Sequence, residues 1–357
     1  MPPIALLLAG LILAPQEPAA PDWGRRLEWE TGPEAREHAA LILDAERDRA
    51  VMLAGSGYAP YGSPLGDAWA FDLETERWTG LELGGDELVP GGSRRVASVE
   101  GGAFLHGGYG ANFAFVGELW QLTLDDAEVV VTRIAQENPP SARMLHAFAC
   151  DPAGERFVVF GGGGDNDLLD DTWIGERTDE GVRWRQLPES ETGAGPGLRF
   201  GFSFAHDLQG GRLLICGGQV PPDEGQTAMA VAQDLWALDF TADEPTWTQL
   251  AEYDDDTFHG RRNPAFAFDE QSGDLFVWGG TGDGASALPD LYVVRTRVDG
   301  APVERVAQPD GIPTRASGFG VVDPARGRAL LGFGNTASGP YDDLVEVRLR
   351  DARERSR

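Results

Sequence analysis

The sequence predicts an all-β protein, folded as a six-bladed β-propeller with four antiparallel strands in each blade. One observation is that apolar residues come in runs of four to six bounded by glycine, proline and aspartate, which is typical of strands. A second is a Gly pair that occurs six times, with Ala54 and Phe333 replacing the first glycine in two copies. The second residues of these pairs are 53, 54, 56, 62 and 54 residues apart, and a period near fifty is expected for propeller blades.

Composition supports a folded, turn-rich chain. Of 357 residues, 48 are glycine and 24 are proline, yet 41% are hydrophobic and ten are tryptophan, which excludes a disordered protein. The formal net charge of −29 repels nucleic-acid phosphates and anionic lipid surfaces. We therefore expect no nucleic-acid partner, and the excess of acidic residues favours a soluble monomer.

The N-terminal segment differs from the rest of the chain. Residues 4–14 form an apolar run broken only by Gly10, too short to span a bilayer but suited to a signal peptide over residues 1–20. We expect export to the periplasm or the outside of the cell, with no stable membrane insertion. The alternative is that this segment forms a structural strand. Residues 351–357 are expected to be a charged tail.

An arginine opens each repeat. It stands eighteen residues before the first residue of the Gly pair in five copies, and thirteen residues before it in the second copy. An aspartate follows each of the five regularly spaced arginines by eight residues and opens a hairpin. The six arginines are Arg36, Arg94, Arg143, Arg199, Arg261 and Arg315.

Each repeat continues with an acidic residue two positions before an aromatic one, as in Asp171 and Trp173. The sixth copy has valine in the aromatic position. A further tryptophan nine to eleven residues later marks a fourth strand in three copies. The six acids are Asp67, Glu118, Asp171, Asp234, Asp290 and Asp343.

These landmarks place one propeller domain over residues 23–350. Its sixth copy ends before a fourth strand, and residues 27–31 around Trp29 resemble the missing strand. We expect that segment to complete the last blade and close the ring, which removes an open sheet edge. The expected blades are about 36–83, 90–135, 140–188, 196–251, 258–307 and 312–350.

The initial arginine, the Gly pair, the acid-x-Trp strand and the outer tryptophan together resemble the kelch-repeat family, which includes the propeller domain of galactose oxidase. The resemblance implies a kelch-type propeller and says little about function. The family includes adaptor proteins that hold peptides on one face, and secreted sugar-active members such as galactose oxidase and N-acetylneuraminate epimerase.

Because strands alternate in direction, the six arginines, the Gly pairs and the six acids are predicted to lie on one rim. Function in such folds belongs to loops held by a rigid scaffold. Guanidinium groups grip carboxylates through paired hydrogen bonds, so the arginines are candidates for a carboxylate site. The alternative is that each arginine pairs with the acid of its own repeat.

The loops after the Gly pairs supply further ligand-binding candidates. Exposed aromatic side chains beside amides and carboxylates suit peptides or sugars. The alternative is that these residues pack between neighbouring blades. The candidates are Tyr58, Tyr61, Tyr109, Asn112, Phe113, Gln219 and Asp283.

A metal site is a weaker hypothesis. Asp165, Asp167 and Asp170 offer the oxygen ligands that Ca²⁺ prefers, but they lack the spacing of a known calcium loop. We expect no metal, no cofactor and no disulfide between Cys150 and Cys216, which fall on different blades. The copper site of galactose oxidase is therefore not carried over to this chain.

The functional expectation is a non-catalytic, exported kelch-repeat protein that binds a protein, peptide or glycan on the propeller rim. No HExxH, P-loop, GxSxG or dinucleotide motif is present. The alternative is a sugar mutarotase or epimerase resembling N-acetylneuraminate epimerase, in which rim arginines hold a sugar carboxylate while acidic groups or a histidine move protons.

Overall fold

The computed structural model describes residues 23–57, 62–165, 167–222, 227–284, 286–336 and 338–349. The regular secondary structure of these residues is almost entirely β-strand. The short helices among them are two 3₁₀ turns, Ala45–Arg47 and Ala111–Phe113, and one α-helical turn, Glu189–Thr192. No helix of the described residues is long and apolar enough to cross a membrane.

The strands of the first half follow the repeat. After an N-terminal strand they group into units one, two and three, each with four strands, and one short strand connects units two and three. They are β1 (Trp23–Leu27); β2 (Ala40–Asp44), β3 (Arg49–Ser56), β4 (Pro64–Asp72) and β5 (Arg77–Gly85); β6 (Arg95–Val99), β7 (Gly102–His106), β8 (Leu119–Leu124) and β9 (Glu128–Ile134); β10 (Gln136–Glu137); β11 (Ala147–Cys150), β12 (Arg156–Gly163), β13 (Leu168–Thr178) and β14 (Gly181–Leu187).

The second half contains units four, five and six, with short two-stranded ribbons inserted in units four and six. Its strands are β15 (Ser203–Asp207), β16 (Arg212–Cys216), β17 (Gln219–Val220), β18 (Ala230–Val231), β19 (Asp234–Asp239) and β20 (Thr246–Glu252); β21 (Ala265–Asp269), β22 (Asp274–Trp278), β23 (Leu291–Arg295) and β24 (Val303–Val306); β25 (Phe319–Asp323), β26 (Arg328–Gly332), β27 (Asn335–Thr336), β28 (Gly339–Pro340) and β29 (Leu344–Arg348).

Within each unit the main strands pair antiparallel in chain order, from an inner strand to an outer one. Parallel pairing of β5 with β9 joins the outer strands of units one and two into one eight-stranded sheet. The inner strands contact one another in the cyclic order β2, β6, β11, β15, β21, β25 and back to β2. The described part of the chain is therefore all-β and propeller-like, as predicted.

The fourth strand of unit six comes from the N-terminus, but not from the expected residues. It is β1, which pairs antiparallel with β29, so the strand lies at Trp23–Leu27 rather than at 27–31. Two tryptophans six residues apart caused the difference. Trp23 begins the strand and packs edge-on against Trp278, whereas Trp29 follows the strand and packs against Trp78 and Phe333.

The six Gly pairs share one backbone conformation. Both residues of every pair have a positive φ, between 51° and 112°, including Ala54 and Phe333, which replace the first glycine. This region favours glycine because it brings a Cβ close to the backbone carbonyl. In units two to six the N–H of the second residue donates to the carbonyl of the arginine that opens the next unit, ending with Gly334 and Arg36 at 2.8 Å.

The core is divided among the junctions between units. Six apolar clusters occur in the described residues, and each contains buried side chains from two neighbouring units. One of them joins unit six to unit one through Phe319, Phe333 and Met52. Strand side chains alternate between two faces, so each unit can bury both faces against its neighbours. Each buried large apolar side chain stabilises this packing by about 2 kcal/mol.

Candidate functional site

We call the arginine rim the face formed by two kinds of loop: those that lead into the inner strands, and those that connect the second strand of each unit with the third. It carries the six repeat arginines, whose side chains are 0 to 5% exposed. Four of them form bidentate pairs with the acid of their own unit. The shortest nitrogen–oxygen distance is 2.6 Å from Arg36 to Asp67 and from Arg143 to Asp171, 2.7 Å from Arg199 to Asp234, and 2.5 Å from Arg315 to Asp343.

Every nitrogen of these four guanidinium groups donates a hydrogen bond. In unit three, Arg143 Nη1 also donates to the Gly161 carbonyl at 3.1 Å, and its Nε donates to the Ser141 carbonyl at 3.0 Å. The same two kinds of contact occur at the other three arginines. The arginine therefore joins the start of the inner strand, the Gly pair and the start of the third strand.

The acid-x-Trp spacing places a further hydrogen-bond donor on the carboxylate that the arginine holds. The indole N–H of Trp173 donates to the second carboxylate oxygen of Asp171 at 2.7 Å, and Trp69 and Trp236 do the same in their units. In unit six, where valine replaces tryptophan, Arg26 Nε donates to Asp343 at 2.6 Å. Burial alone would raise the pKa of Asp171, but the hydrogen bond and charge of Arg143 hold it below its usual range.

The expectation that the repeat arginines form a carboxylate site is therefore wrong for Arg36, Arg143, Arg199 and Arg315. Their guanidinium groups are buried, and both Nη atoms already hold a carboxylate, so no face remains for a ligand. The alternative of structural ion pairing describes these four. The same geometry removes the anion-binding groups that the sugar-active alternative requires at those positions.

Units two and five depart from this pattern. Arg94 donates to the carbonyls of Gly107 and Val89 and forms no ion pair among the described residues, while Glu118 lies 3.9 Å from Arg133. Arg261 donates to the carbonyls of Gly279 and Asp290 and lies 4.5 Å from the ring centre of Tyr292. Asp290 instead pairs with Arg305 at 2.9 Å.

The Gly-pair loop of unit two presents an exposed aromatic side chain. Phe113 is 43% exposed and packs on Tyr109, with ring centres 5.1 Å apart. Tyr109 is buried, hydrogen-bonds the Ser56 hydroxyl, and pairs through its backbone with Gly92. Burial raises the pKa of Tyr109 to about 12. Asn112 and Phe113 both have left-handed φ values, 56° and 57°.

The other loop candidates are dispersed around the rim. Gln219 begins β17 and pairs with Val231 and Phe200, so it stabilises the ribbon in the long loop of unit four. Asp283 is exposed on the loop of unit five. Tyr58 and Tyr61 lie outside the described residues. The structure therefore brings together Tyr109, Asn112 and Phe113 but not the whole predicted set.

The acidic turn of unit three does not gather a cation site. Asp165, Asp167 and Asp170 are all exposed on the hairpin between β12 and β13. Over the described ranges, no group of three or more His, Cys, Asp or Glu side chains is placed to share a metal ion. Cys150 and Cys216 are buried free thiols, and burial raises the pKa of each to about 12.

A channel at the centre of the molecule has a wall that, apart from Arg94, contains none of the predicted candidates. A cavity of about 510 Å³ is bordered by residues of five inner strands, and its wall includes Phe204, Phe266, Phe268 and Phe319. Arg95, the residue after the repeat arginine of unit two, also lines it. In the sequence, Arg95 stands out because it directly follows the repeat arginine, Arg94. Only the fifth copy has the same pair of arginines at the aligned positions, Arg261 and Arg262.

Two fully buried histidines form a close pair. His106 Nδ1 and His146 Nε2 are 3.0 Å apart across the junction of units two and three. Burial lowers the pKa of His106 to about 3 and that of His146 well below its usual value, with further lowering by neighbouring positive charge. Both rings are therefore neutral at pH 7, with one nitrogen of the pair donating and the other accepting.

Comparison with known proteins gives moderate sequence similarity. The chain is 26% identical to Adagio-like protein 1 of Oryza sativa subsp. japonica over 281 residues, 75% of this chain and 42% of that protein. It is 26% identical to Adagio protein 3 of Arabidopsis thaliana over 178 residues, 50% of this chain and 27% of that protein. The chain thus spans less than half the length of these curated relatives. No protein-family model matches the chain.

A solved structure agrees more extensively. The structure of YjhT matches with a TM-score of 0.64 at 14% sequence identity, covering 90% of this chain and 97% of that one. That similarity shows the fold. Together with the repeated arginine, Gly pair and acid-x-Trp strand, the relatives and the shared architecture support a kelch-repeat β-propeller.

Proposed function

We propose that this chain is a monomeric, non-catalytic propeller of six blades, closed by β1, that binds a protein or peptide on its arginine rim. The observation that carries the proposal is Phe113. A large aromatic side chain at a left-handed backbone position is uncommon and costs about 1–3 kcal/mol, and such strain concentrates at binding sites. Here Phe113 follows Asn112, which also has a left-handed φ, and 43% of Phe113 is exposed to solvent.

The base of this loop is rigid. Tyr109 exchanges backbone hydrogen bonds with Gly92 at 2.9 and 3.2 Å, and Val116 donates to Gly108 at 3.0 Å. An aromatic anchor on a preorganised base loses little conformational entropy on binding, which is the usual character of an interface hot spot. Phe113 therefore has the properties of an anchor residue.

A second apolar side chain extends the same surface. Val89 is 41% exposed, and its Cγ1 lies 3.2 Å from where a Cβ on Gly110 would stand, so it borders the Phe113 loop. Acidic residues of this protein outnumber basic ones by 58 to 29. The surface suits a peptide with an apolar side chain and basic neighbours, because charge of opposite sign speeds association. Glycan binding is the competing outcome.

The test is a selection from a displayed random-peptide library on the folded chain, followed by affinity measurement with the selected synthetic peptides. Phe113→Ala should weaken binding at least about tenfold, as expected for a hot-spot aromatic. The matched control is Val298→Ala, because Val298 is 51% exposed but lies on the hairpin face opposite the rim. Peptides that bind both variants like the parent, or a library that yields none while glycans bind, would contradict the proposal.

Export is also part of the proposal, on the basis of the apolar run at 4–14. Expression of the full-length chain with N-terminal sequencing of the protein recovered outside the cytoplasm tests it. We expect the recovered chain to begin between that run and Trp23. An intact N-terminus in the cytoplasmic fraction would exclude cleavage and export.

A further inference from the structure

The central channel contains a positively charged group with no partner. Over the described ranges, the Arg95 side chain forms no hydrogen bond or ion pair, and its Nε is buried. Its guanidinium carbon lies 5.3 Å from the ring centre of Phe204 on unit four. The side chain therefore reaches across the front of β11, whose four residues are fully buried.

Among the described residues, no neighbouring group neutralises this charge. Burial lowers the pKa of Arg95 to about 10, so the guanidinium stays charged at pH 7. His38 borders the same end of the channel, but burial lowers its pKa to about 3 and the ring is neutral. The nearby Glu37 carboxylate is engaged by the Asn335 amide, and no ion pair joins it to Arg95. The Arg95 side chain is half-buried at the channel wall, so its guanidinium group remains open to an anionic ligand that supplies a counter-charge.

Much of the rest of the wall is apolar. Phe204, Phe266, Phe268 and Phe319 contribute aromatic surface, and the volume of about 510 Å³ falls in the range of small-molecule sites. Carboxylates are found at the far end, where Glu100 follows β6 and Glu270 accepts the Leu208 N–H at 3.0 Å. An anion is repelled from that end and enters from the rim end, where Arg95 begins β6.

We propose that the channel binds a small monocarboxylate with an apolar body, whose carboxylate pairs with Arg95 while its body contacts the phenylalanine wall. A single guanidinium matches a single carboxylate, since a bidentate pair uses one face of each group. Polyanions are excluded by the large negative charge of the protein. This site is separate from the Phe113 surface and does not depend on the function proposed there.

The test uses 4-phenylbutyrate and its neutral analogue 4-phenylbutyramide, titrated into the folded chain by isothermal calorimetry. We expect saturable binding of the acid with a Kd below about 1 mM, and binding of the amide at least about tenfold weaker. Inorganic phosphate should bind more weakly than the acid, because it lacks the apolar body. Equal affinity for acid and amide, equal affinity for phosphate, or no binding of the acid would overturn the proposal.

Variants locate the site. Arg95→Met keeps the length of the side chain without its charge and should weaken binding of 4-phenylbutyrate at least about tenfold. The matched control is Arg77→Met on β5, where the arginine is exposed and away from the channel. Unchanged binding by a folded Arg95→Met variant would overturn the assignment. If that variant does not fold, the comparison of acid with amide on the parent chain still decides.

Peptide binding at the rim and carboxylate binding in the channel can be contradicted independently of each other. Phe113→Ala should leave 4-phenylbutyrate binding unchanged, and Arg95→Met should leave the affinity of rim-selected peptides unchanged. A channel ligand whose affinity falls about tenfold with Phe113→Ala would place it on the rim and overturn the channel assignment.

Discussion

Units two and three carry the same repeat but use its arginine differently. In unit three, Arg143 holds Asp171 through two hydrogen bonds and is closed to any ligand. In unit two, Arg94 holds only carbonyl groups, and its neighbour Arg95 extends into the channel without a partner among the described residues. Unit two, one of the two units that depart from the repeat, also carries Phe113. The difference indicates that repeat positions maintain the propeller, and both proposed ligand sites lie where the repeat is broken.

The largest expected effect comes from removing the ion pair between the repeat arginine and the acid of its unit. Arg143→Met leaves Asp171 partly buried without its counter-ion, so we expect a loss of about 3–5 kcal/mol in the free energy of unfolding. Arg94→Met leaves no carboxylate unpaired and should cost clearly less, about 1–2 kcal/mol. Denaturant unfolding of both variants measures the difference. Equal losses would show that the two arginines have the same structural role.

A smaller effect is expected at the Gly pair of unit three. A Cβ on Gly162 would lie 2.6 Å from the Met144 carbonyl oxygen at a φ of 97°, so Gly162→Ala should cost more than the ~1–2 kcal/mol of a left-handed alanine. The control is Gly101→Ala in the shortened hairpin of unit two, where φ is 73° and no atom lies within 4 Å. Thermal unfolding should show a larger decrease in Tm for Gly162→Ala. The reverse order would contradict the packing role of the pair.

The smallest effect concerns pH at the junction of these two units. Folding lowers the pKa of His106 to about 3, so its contribution to stability is complete above the unfolded pKa of about 6.5 and is lost as the pH falls toward 3. Between those values the unfolded chain binds the extra proton. Unfolding free energies should therefore fall below pH 6.5, by up to about 1.4 kcal/mol per pH unit for this one histidine.

The control for this pH dependence is a matched pair of variants. His106→Gln should reduce the slope of unfolding free energy against pH between 6 and 5. His259→Gln, at a side chain 39% exposed, is the control for replacing a surface histidine. Identical slopes in parent and His106→Gln would show that the buried pair does not bind protons on unfolding.

Much of the fold was predictable because each landmark has a local cause. The Gly pair occurs where two successive residues must be left-handed. The spacing of the arginine and the acid is fixed because the two side chains form one ion pair. Trp29 misled the prediction of the N-terminal strand because spacing alone cannot tell which of two tryptophans lies in the sheet. Arg95 was not predictable because its lack of a partner depends on side chains from four other units.

The pairing of β1 with β29 also affects the kinetics of folding. Trp23 lies opposite Val347, so these strands meet only after almost the whole chain has been ordered. Loop closure over such a separation is slow relative to hairpin formation within each unit, so this pairing belongs to the last stage of folding. Until then the free edge of β29 is a template for the N-terminal strand of another molecule. The step that completes the fold is therefore also the one at which strand exchange between molecules competes with it.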